Sequence, residues 1–223
     1  MAAMKGVGTD EDALIEIIGS RDCKQLVKIK ERFKELFKID LIEEVKDETS
    51  GDLQKLLVAL LECNRRQDDI IDESKLNKDI ANLFDAGEGT WGTDESTFIK
   101  IFAQRSHAEL RYINNEYYKC CGTSLKDVVE SEFSGDTKNL LITILHSILN
   151  PVDFFATKIR NACKGLGTDD TTLIRVLVSR DEIDLKDIKA IYHEKFDLTL
   201  YDEIKDETSG AYKNILMGIA MTD

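Results

Sequence analysis

The apolar residues of the chain recur with the period of an amphipathic helix, and the same pattern appears three times. Spacings of one, three and four residues place these side chains on one helix face, so one buried face is predicted to be built three times. The matched sets are Leu14, Ile15, Ile17 and Ile18; Phe98, Ile99, Ile101 and Phe102; and Leu173, Ile174, Val176 and Leu177. The same periodicity predicts further helices at about 23–37, 41–46, 75–84 and 152–163, and one starting at Ser50-Gly51.

A glycine loop precedes each of these three helices. It reads Lys-Gly-Val-Gly-Thr-Asp-Glu from residue 5, Thr-Trp-Gly-Thr-Asp-Glu from residue 90 and Lys-Gly-Leu-Gly-Thr-Asp-Asp from residue 164. The last glycine of each loop (Gly8, Gly92, Gly167) is followed 40 residues later by a glutamate that opens Glu-X-Ser-Gly (Glu48, Glu132, Glu207). The threonines after those glycines, Thr9, Thr93 and Thr168, are predicted to cap the following helices, because threonine is a favourable N-cap residue.

These repeats predict three structural units and one linker. The predicted ranges are 1–63 for a first unit that lacks a leading helix, 64–74 for a polar linker, 75–149 for the second unit and 150–223 for the third. At the last boundary, Asn150 is predicted to cap a helix whose first residue is Pro151.

The composition favours a helical body and argues against nucleic acid as a partner. Hydrophobic residues make up 42% of the 223 residues, and there is one proline. With 30 basic and 43 acidic residues the net charge is −13, so binding to any anionic surface requires a local source of positive charge. The five cysteines form no Cys-X-X-Cys motif, which fits a reducing compartment. No signal peptide or apolar run of membrane-spanning length is apparent, so we expect a cytoplasmic protein.

The loops and their distant glutamates have the composition of a calcium site. Glycines permit positive φ angles, so a Gly-X-Gly turn can direct successive backbone carbonyls into one space. Carbonyl oxygens and a carboxylate suit Ca²⁺ better than Mg²⁺, and one carboxylate per site predicts weak binding, on the order of 10⁻⁴–10⁻³ M. The alternative is an anion-binding nest before a helix N-terminus. A partner carboxylate would repel phosphate, and the loops lack the Lys-Ser/Thr of a P-loop.

Each loop also carries one apolar residue directly before its last glycine: Val7, Trp91 and Leu166. Such a side chain at a loop tip has little of its own unit to contact, and tryptophan favours the membrane interface. These three residues are predicted to contact membrane. The alternative is that they fold back into their own units.

These residues and motifs resemble those of the annexin family over essentially the whole chain. The resemblance implies an all-α array of five-helix repeats that form a curved disc, with Ca²⁺ on its convex face bridging to acidic phospholipid. The Trp91 loop and the last repeat resemble the third and fourth annexin repeats, so the chain resembles repeats two to four, with the leading helix of the first one missing. Such a chain would expose an apolar face where a repeat is absent.

The resemblance also implies a set of metal ligands for each loop. The first site would use the carbonyls of Met4, Gly6 and Gly8 with the carboxylate of Glu48. The third would use Cys163, Gly165, Gly167 and Glu207. The middle loop is one residue longer than the third, and there we assign Gly87, Thr90, Gly92 and Glu132.

Three classes of function remain open from the sequence. The favoured class is Ca²⁺-dependent binding to acidic phospholipid, with the protein peripheral on membranes when Ca²⁺ rises. The second is a Ca²⁺-independent helical scaffold that links membrane to cytoskeleton, with a cytoskeletal protein as partner. An enzyme acting on phosphate compounds is third, because we find no nucleophile–base–acid constellation and no recurring role for the three histidines. Self-association through the face left by the absent repeat is a further expected partner interaction.

Overall fold

The computed structural model of the chain describes residues 2–4, 8–89, 92–165 and 167–221, and every regular element in these ranges is a helix. The predicted all-α class is therefore confirmed. The chain packs as two compact units, residues 1–149 and 150–223. The finer division of residues 1–149 at 63 and 74 stays a prediction.

Unit 1 contains four helices followed by five, and unit 2 contains five, counting α-helices within the described ranges. Unit 1 has a short 3-10 helix Ala2–Met4, then α1 (Glu11–Gly19), α2 (Cys23–Phe37), α3 (Leu41–Glu48), α4 (Gly51–Leu61), α5 (Glu73–Ala86), α6 (Glu95–Gln104), α7 (His107–Cys121), α8 (Leu125–Glu132) and α9 (Gly135–Leu149). Unit 2 has α10 (Pro151–Cys163), α11 (Asp170–Arg180), α12 (Leu185–Phe196), α13 (Leu200–Glu207) and α14 (Gly210–Met221).

The helix bounds follow local capping signals. Asn150 accepts a hydrogen bond from the amide of Asp153 at 3.2 Å, with Pro151 as the first helical residue, as the sequence predicted. Helix α2 spans the predicted 23–37, whereas α3 continues two residues beyond 46 and α5 begins at Glu73, inside the predicted linker. Side-chain caps fix a helix start because they satisfy amides that lack a partner within the helix.

The predicted threonine caps are wrong. The N-cap residues of α1, α6 and α11 are Asp10, Asp94 and Asp169, whose carboxylates accept from the amides of Ala13, Ser96 and Thr172 at 2.9, 3.1 and 3.0 Å. Aspartate caps at least as well as threonine, and its charge also complements the positive end of the helix dipole. The threonine hydroxyls are thereby free for another contact.

The core of unit 1 lies where its first four helices meet the next five. Helix α1 packs on α9, and α4 packs on both α6 and α9. The side chains at this junction are fully buried, among them Leu56, Leu57, Phe98 and Leu140. A Cβ added to Gly19 would lie 2.9 Å from Leu140 Cδ1, so the absence of a side chain there lets α1 approach α9 closely.

Unit 2 has a core of its own between α10, α11, α12, α13 and α14. Phe155, Leu173, Leu177, Tyr192 and Ile204 are almost completely buried in it. Of the recurring apolar positions in unit 2, Leu173, Val176 and Leu177 face this core, as periodicity predicts, whereas Ile174 is 42% exposed.

The polar stretch 64–74 is not uniformly solvated. Arg65 is only 8% exposed, and its guanidinium donates a hydrogen bond to the carbonyl of Phe102. The amide of Arg66 donates to the carbonyl of Gln104 at 3.3 Å, whereas Ile70 is 65% exposed. The start of this stretch is thus bound to the C-terminal end of α6, where carbonyls lack partners within the helix.

Candidate cation sites

The three glycine loops are closed by the same backbone hydrogen bond. The amides of Asp10, Asp94 and Asp169 donate to the carbonyls of Ala3, Ala86 and Ala162 at 2.7, 2.8 and 2.8 Å. Each loop therefore begins at the end of one helix and folds back, so that the start of the next helix lies beside that end. The middle loop contains one residue more than the other two.

The last glycine of each loop has a backbone conformation that other residues rarely adopt. The φ angles are +99° at Gly8, +95° at Gly92 and +92° at Gly167, and a Cβ added at any of them would meet no atom within 4 Å. Conformation rather than space therefore requires glycine here. All three residues are exposed, so the loops reach solvent.

The distant glutamates meet these loops in space. The hydroxyl Oγ1 of Thr9 donates to Glu48 Oε2 at 2.6 Å, and that of Thr93 donates to Glu132 Oε2 at 2.7 Å. In the third loop the hydroxyl of Thr168 lies 3.0 Å from the backbone carbonyl of Glu207 and 3.5 Å from its Oε2. The threonines thus hold the distant acids, which explains why they do not cap the helices.

The position of each glutamate favours a cation. Glu48, Glu132 and Glu207 are the last residues of α3, α8 and α13. A helix C-terminus carries the negative end of the dipole and carbonyls without partners. A carboxylate placed there adds negative charge to an electronegative end, so the arrangement attracts a positive ion and argues against the anion nest. Glu48 and Glu132 are half-buried, whereas Glu207 is exposed.

The residues predicted to begin each ligand set occupy matching places. Met4, Gly87 and Cys163 each directly follow the alanine that closes its loop. Met4 and Cys163 are 6% and 2% exposed, and burial raises the pKa of the Cys163 thiol to about 12. Ca²⁺ takes oxygen ligands rather than a thiol, so the backbone carbonyl of Cys163 is the group that suits the predicted site.

Gly87 is close to the acid of its own site. A Cβ added to it would lie 3.5 Å from Cγ of Glu132 and 3.3 Å from Cγ1 of Val128. Gly165 is exposed with φ +129°. The predicted ligands Gly6 and Thr90 and the predicted membrane contacts Val7, Trp91 and Leu166 lie outside the described residues.

Two features of the middle loop were missed by sequence reasoning. The side chain of Glu88 accepts a hydrogen bond from the hydroxyl of Tyr117 at 3.0 Å, which ties the loop to α7. Gly89 donates its amide to the carbonyl of Phe84 at 2.8 Å, and a Cβ on it would lie 2.9 Å from Cα of Asp85. The extra residue is thus absorbed in a turn at the end of α5. The greater length of the middle loop is the feature of the sequence that indicates this turn.

The donor set of these sites fits a hard cation. Among the residues the structure describes, no three His, Cys, Asp or Glu side chains cluster in a way that could hold a metal ion. A cation at the loops must therefore take backbone oxygens with a single carboxylate, the oxygen-only coordination that Ca²⁺ accepts in flexible geometry. Arg105 and Arg180 do not compete for these carboxylates, since they pair with Asp79 and Asp184. No described helix is both long and apolar enough to span a membrane.

Comparison with known proteins gives one consistent result. The chain matches the annexin family model over residues 1–60, 79–144 and 154–219. It is 42% identical to annexin A13 of Mus musculus over 217 residues, which cover 97% of this chain and 68% of that protein. The solved structure of annexin III has a TM-score of 0.96 and 38% identity, over 100% of this chain and 69% of its own. Calcium-bound annexin (Sm)1 has a TM-score of 0.89 and 27% identity, over 99% and 67%. The chain therefore spans about two thirds of the length of these relatives.

Proposed function

The chain belongs to the annexin family, and from this premise we propose that it binds Ca²⁺ at its glycine loops and thereby docks on acidic phospholipid membranes. The observation that carries the proposal is the contact between loop and distant acid, made by Thr9 with Glu48, Thr93 with Glu132 and Thr168 with Glu207. A threefold repetition of one polar contact at solvent-exposed loops is the mark of a site rather than of a chance turn.

The ligand sets we propose combine carbonyls with one carboxylate. They are Met4, Gly6, Gly8 and Glu48; Gly87, Thr90, Gly92 and Glu132; and Cys163, Gly165, Gly167 and Glu207. A bound Ca²⁺ supplies positive charge that a lipid phosphate oxygen can approach. The threonine hydroxyl orients the carboxylate, and the positive φ of the last glycine fixes the course of the loop.

The charge of the protein makes this cation necessary for membrane binding. A chain of net charge −13 is repelled by an anionic bilayer, and the glutamates at the helix ends add to that repulsion locally. Ca²⁺ held between the loop and the membrane reverses the sign of the interaction. We therefore propose a protein that is peripheral on membranes when Ca²⁺ is high and that binds without performing chemistry.

The loop residues Val7, Trp91 and Leu166 are proposed to insert at the interface once Ca²⁺ has brought the loops to it. Their apolar side chains precede the exposed glycines Gly8, Gly92 and Gly167. Tryptophan contributes most there, because its ring is apolar and its N–H can face the headgroups.

Two further classes of partner are also proposals. Another copy of the chain is one, because unit 2 exposes an apolar helix face. A cytoskeletal protein is the other. It would be the partner if the chain were instead a Ca²⁺-independent scaffold, and the described surface offers no specific argument for that role.

The test is co-sedimentation with phosphatidylserine vesicles in millimolar Ca²⁺ and in chelator. A triple variant E48Q/E132Q/E207Q removes the carboxylate of every site. A matched control, E35Q/E73Q/E194Q, removes three negative charges at exposed positions on α2, α5 and α12 that are distant in sequence from the loops and from their glutamates. The control is needed because any loss of negative charge weakens repulsion from the vesicles.

We expect the unaltered chain and the control to pellet only with Ca²⁺ and the site variant to stay in solution. Pelleting of the site variant at the same Ca²⁺ concentration would refute the role of the carboxylates. Pelleting of all three proteins in chelator would favour the scaffold instead.

A further inference from the structure

One helix face is buried in unit 1 and exposed in unit 2, although the residues that form it correspond in sequence. Ile15 of α1 and Ile99 of α6 are 1% and 9% exposed, whereas their counterpart Ile174 of α11 is 42% exposed. The difference is larger on the last helix of each repeat. Leu56 and Leu140 are fully buried, and their counterpart Ile215 of α14 is 65% exposed.

Unit 1 shows what covers this face. Helices α1 and α6 are equivalent, as are α4 and α9, and the contacts are α1 with α9, α4 with α6 and α4 with α9. Each half of unit 1 therefore presents the same two helices to the other half. This is the arrangement of a two-fold interface, in which one patch is its own complement.

We propose that the face formed by α11 and α14 of unit 2, which we call the α11/α14 face, binds the same face of a second copy of the chain. Helix α11 of one copy would pack on α14 of the other, and the reverse, as α1 packs on α9 and α6 on α4 within unit 1. Exposed Ile174, Val178 and Ile215 would become buried in this contact.

The side-chain sizes along the α11/α14 face suit this arrangement. In unit 1, Gly19 of α1 lies against α9, where an added Cβ would be 3.0 Å from Thr143 Cγ2. In unit 2 the counterparts are Val178 and Gly218, so the larger residue is now on the first helix and the smaller on the second. A Cβ added to Gly218 would meet no atom within 4 Å, which leaves room for a valine from another copy. Complementary sizes of this kind are what close packing of two helices requires.

The apolar character of the α11/α14 face argues for a protein partner with the same face. Val178 is 58% and Ile215 is 65% exposed, and both belong to helices whose other faces form the core of unit 2. Burying such apolar side chains favours association, because it removes apolar surface from water. A two-fold contact buries each of them twice.

The test is the mass of the whole chain by sedimentation velocity between about 1 and 200 µM, in chelator so that membrane binding plays no part. Twice the monomer mass of 25.3 kDa is expected at high concentration. The variant I215D places a charge on the α11/α14 face, and I70D is its matched control, since Ile70 is also 65% exposed but lies between α4 and α5. Both positions are on the surface, so both variants are expected to fold.

We expect I215D to weaken the dimer at least about tenfold and I70D to leave it unchanged. A monomer at every concentration would overturn the proposal, as would a dimer equally stable in I215D. The proposal is independent of calcium binding, because I215D should still pellet with vesicles in Ca²⁺. Loss of that pelleting in I215D, with the dimer intact, would instead assign the α11/α14 face to the membrane.

Discussion

Replacing Gly92 by alanine tests whether the backbone of the glycine loop matters to cation binding. At φ +95°, with no neighbour within 4 Å, the substitution brings no clash and leaves conformational strain as its cost. Strain of this kind costs about 1–3 kcal/mol. If the loop relaxes to relieve it, Ca²⁺ binding must restore the original conformation. The affinity of the middle site should then fall by about 5- to 150-fold, which is the same energy expressed as a ratio.

The assay is Ca²⁺-dependent co-sedimentation with phosphatidylserine vesicles in an E48Q/E207Q background, so that only the middle site contributes. The control is Gly122→Ala, because Gly122 has φ +75° and equally open space but ends α7 and is not part of a glycine loop. Urea unfolding in chelator measures the strain itself. We expect both variants to lose stability and only G92A to require more Ca²⁺. Unchanged Ca²⁺ dependence in a destabilised G92A would refute the argument that the loop conformation positions the ligands.

Three further predictions concern single side chains, each measured by urea unfolding in chelator. Thr93→Val keeps the shape of the side chain but removes the hydroxyl that donates to Glu132 at 2.7 Å, so the free energy of unfolding should fall by about 1 kcal/mol. An unchanged free energy of unfolding would show that water replaces this hydrogen bond without loss. Asp169→Ala should lower the free energy of unfolding by about 1 kcal/mol, because the side-chain cap of α11 is lost. Asp169→Asn keeps a capping oxygen and should recover most of that loss. Equal losses in the two variants would show that the charge of Asp169, rather than its cap, stabilises the helix. Burial, followed by the charge of Arg65, lowers the pKa of His107 to about 4, so below its ordinary pKa of about 6.5 the unfolded chain takes up a proton that the folded chain does not. Stability should therefore fall by about 1–2 kcal/mol from pH 7 to 5, and His107→Gln should lack that part of the fall; equal pH dependence would refute the shift.

The helices were predictable because their signals are local. Apolar spacing and caps act within a few residues, so 23–37 was predicted to the residue and Asn150-Pro151 was identified as a helix start. The extent of α5 was not, since its first residues lie in a stretch that reads as polar linker. Similarly, the burial of Arg65 depends on the carbonyl of Phe102, which no local pattern reveals.

The spacing of 40 residues repeats unchanged, so the pairing of a glycine loop with an acid can be read three times from the sequence alone. Which side chain makes each contact depends on how the helices pack. Thr9 and Asp10 are both good caps locally, and the division of roles between them depends on a carboxylate 39 residues from Thr9. The burial of an apolar side chain also depends on tertiary packing. Ile15 and Ile174 are equivalent in the pattern, yet one is covered and the other exposed, because burial depends on what packs against a helix rather than on the helix itself.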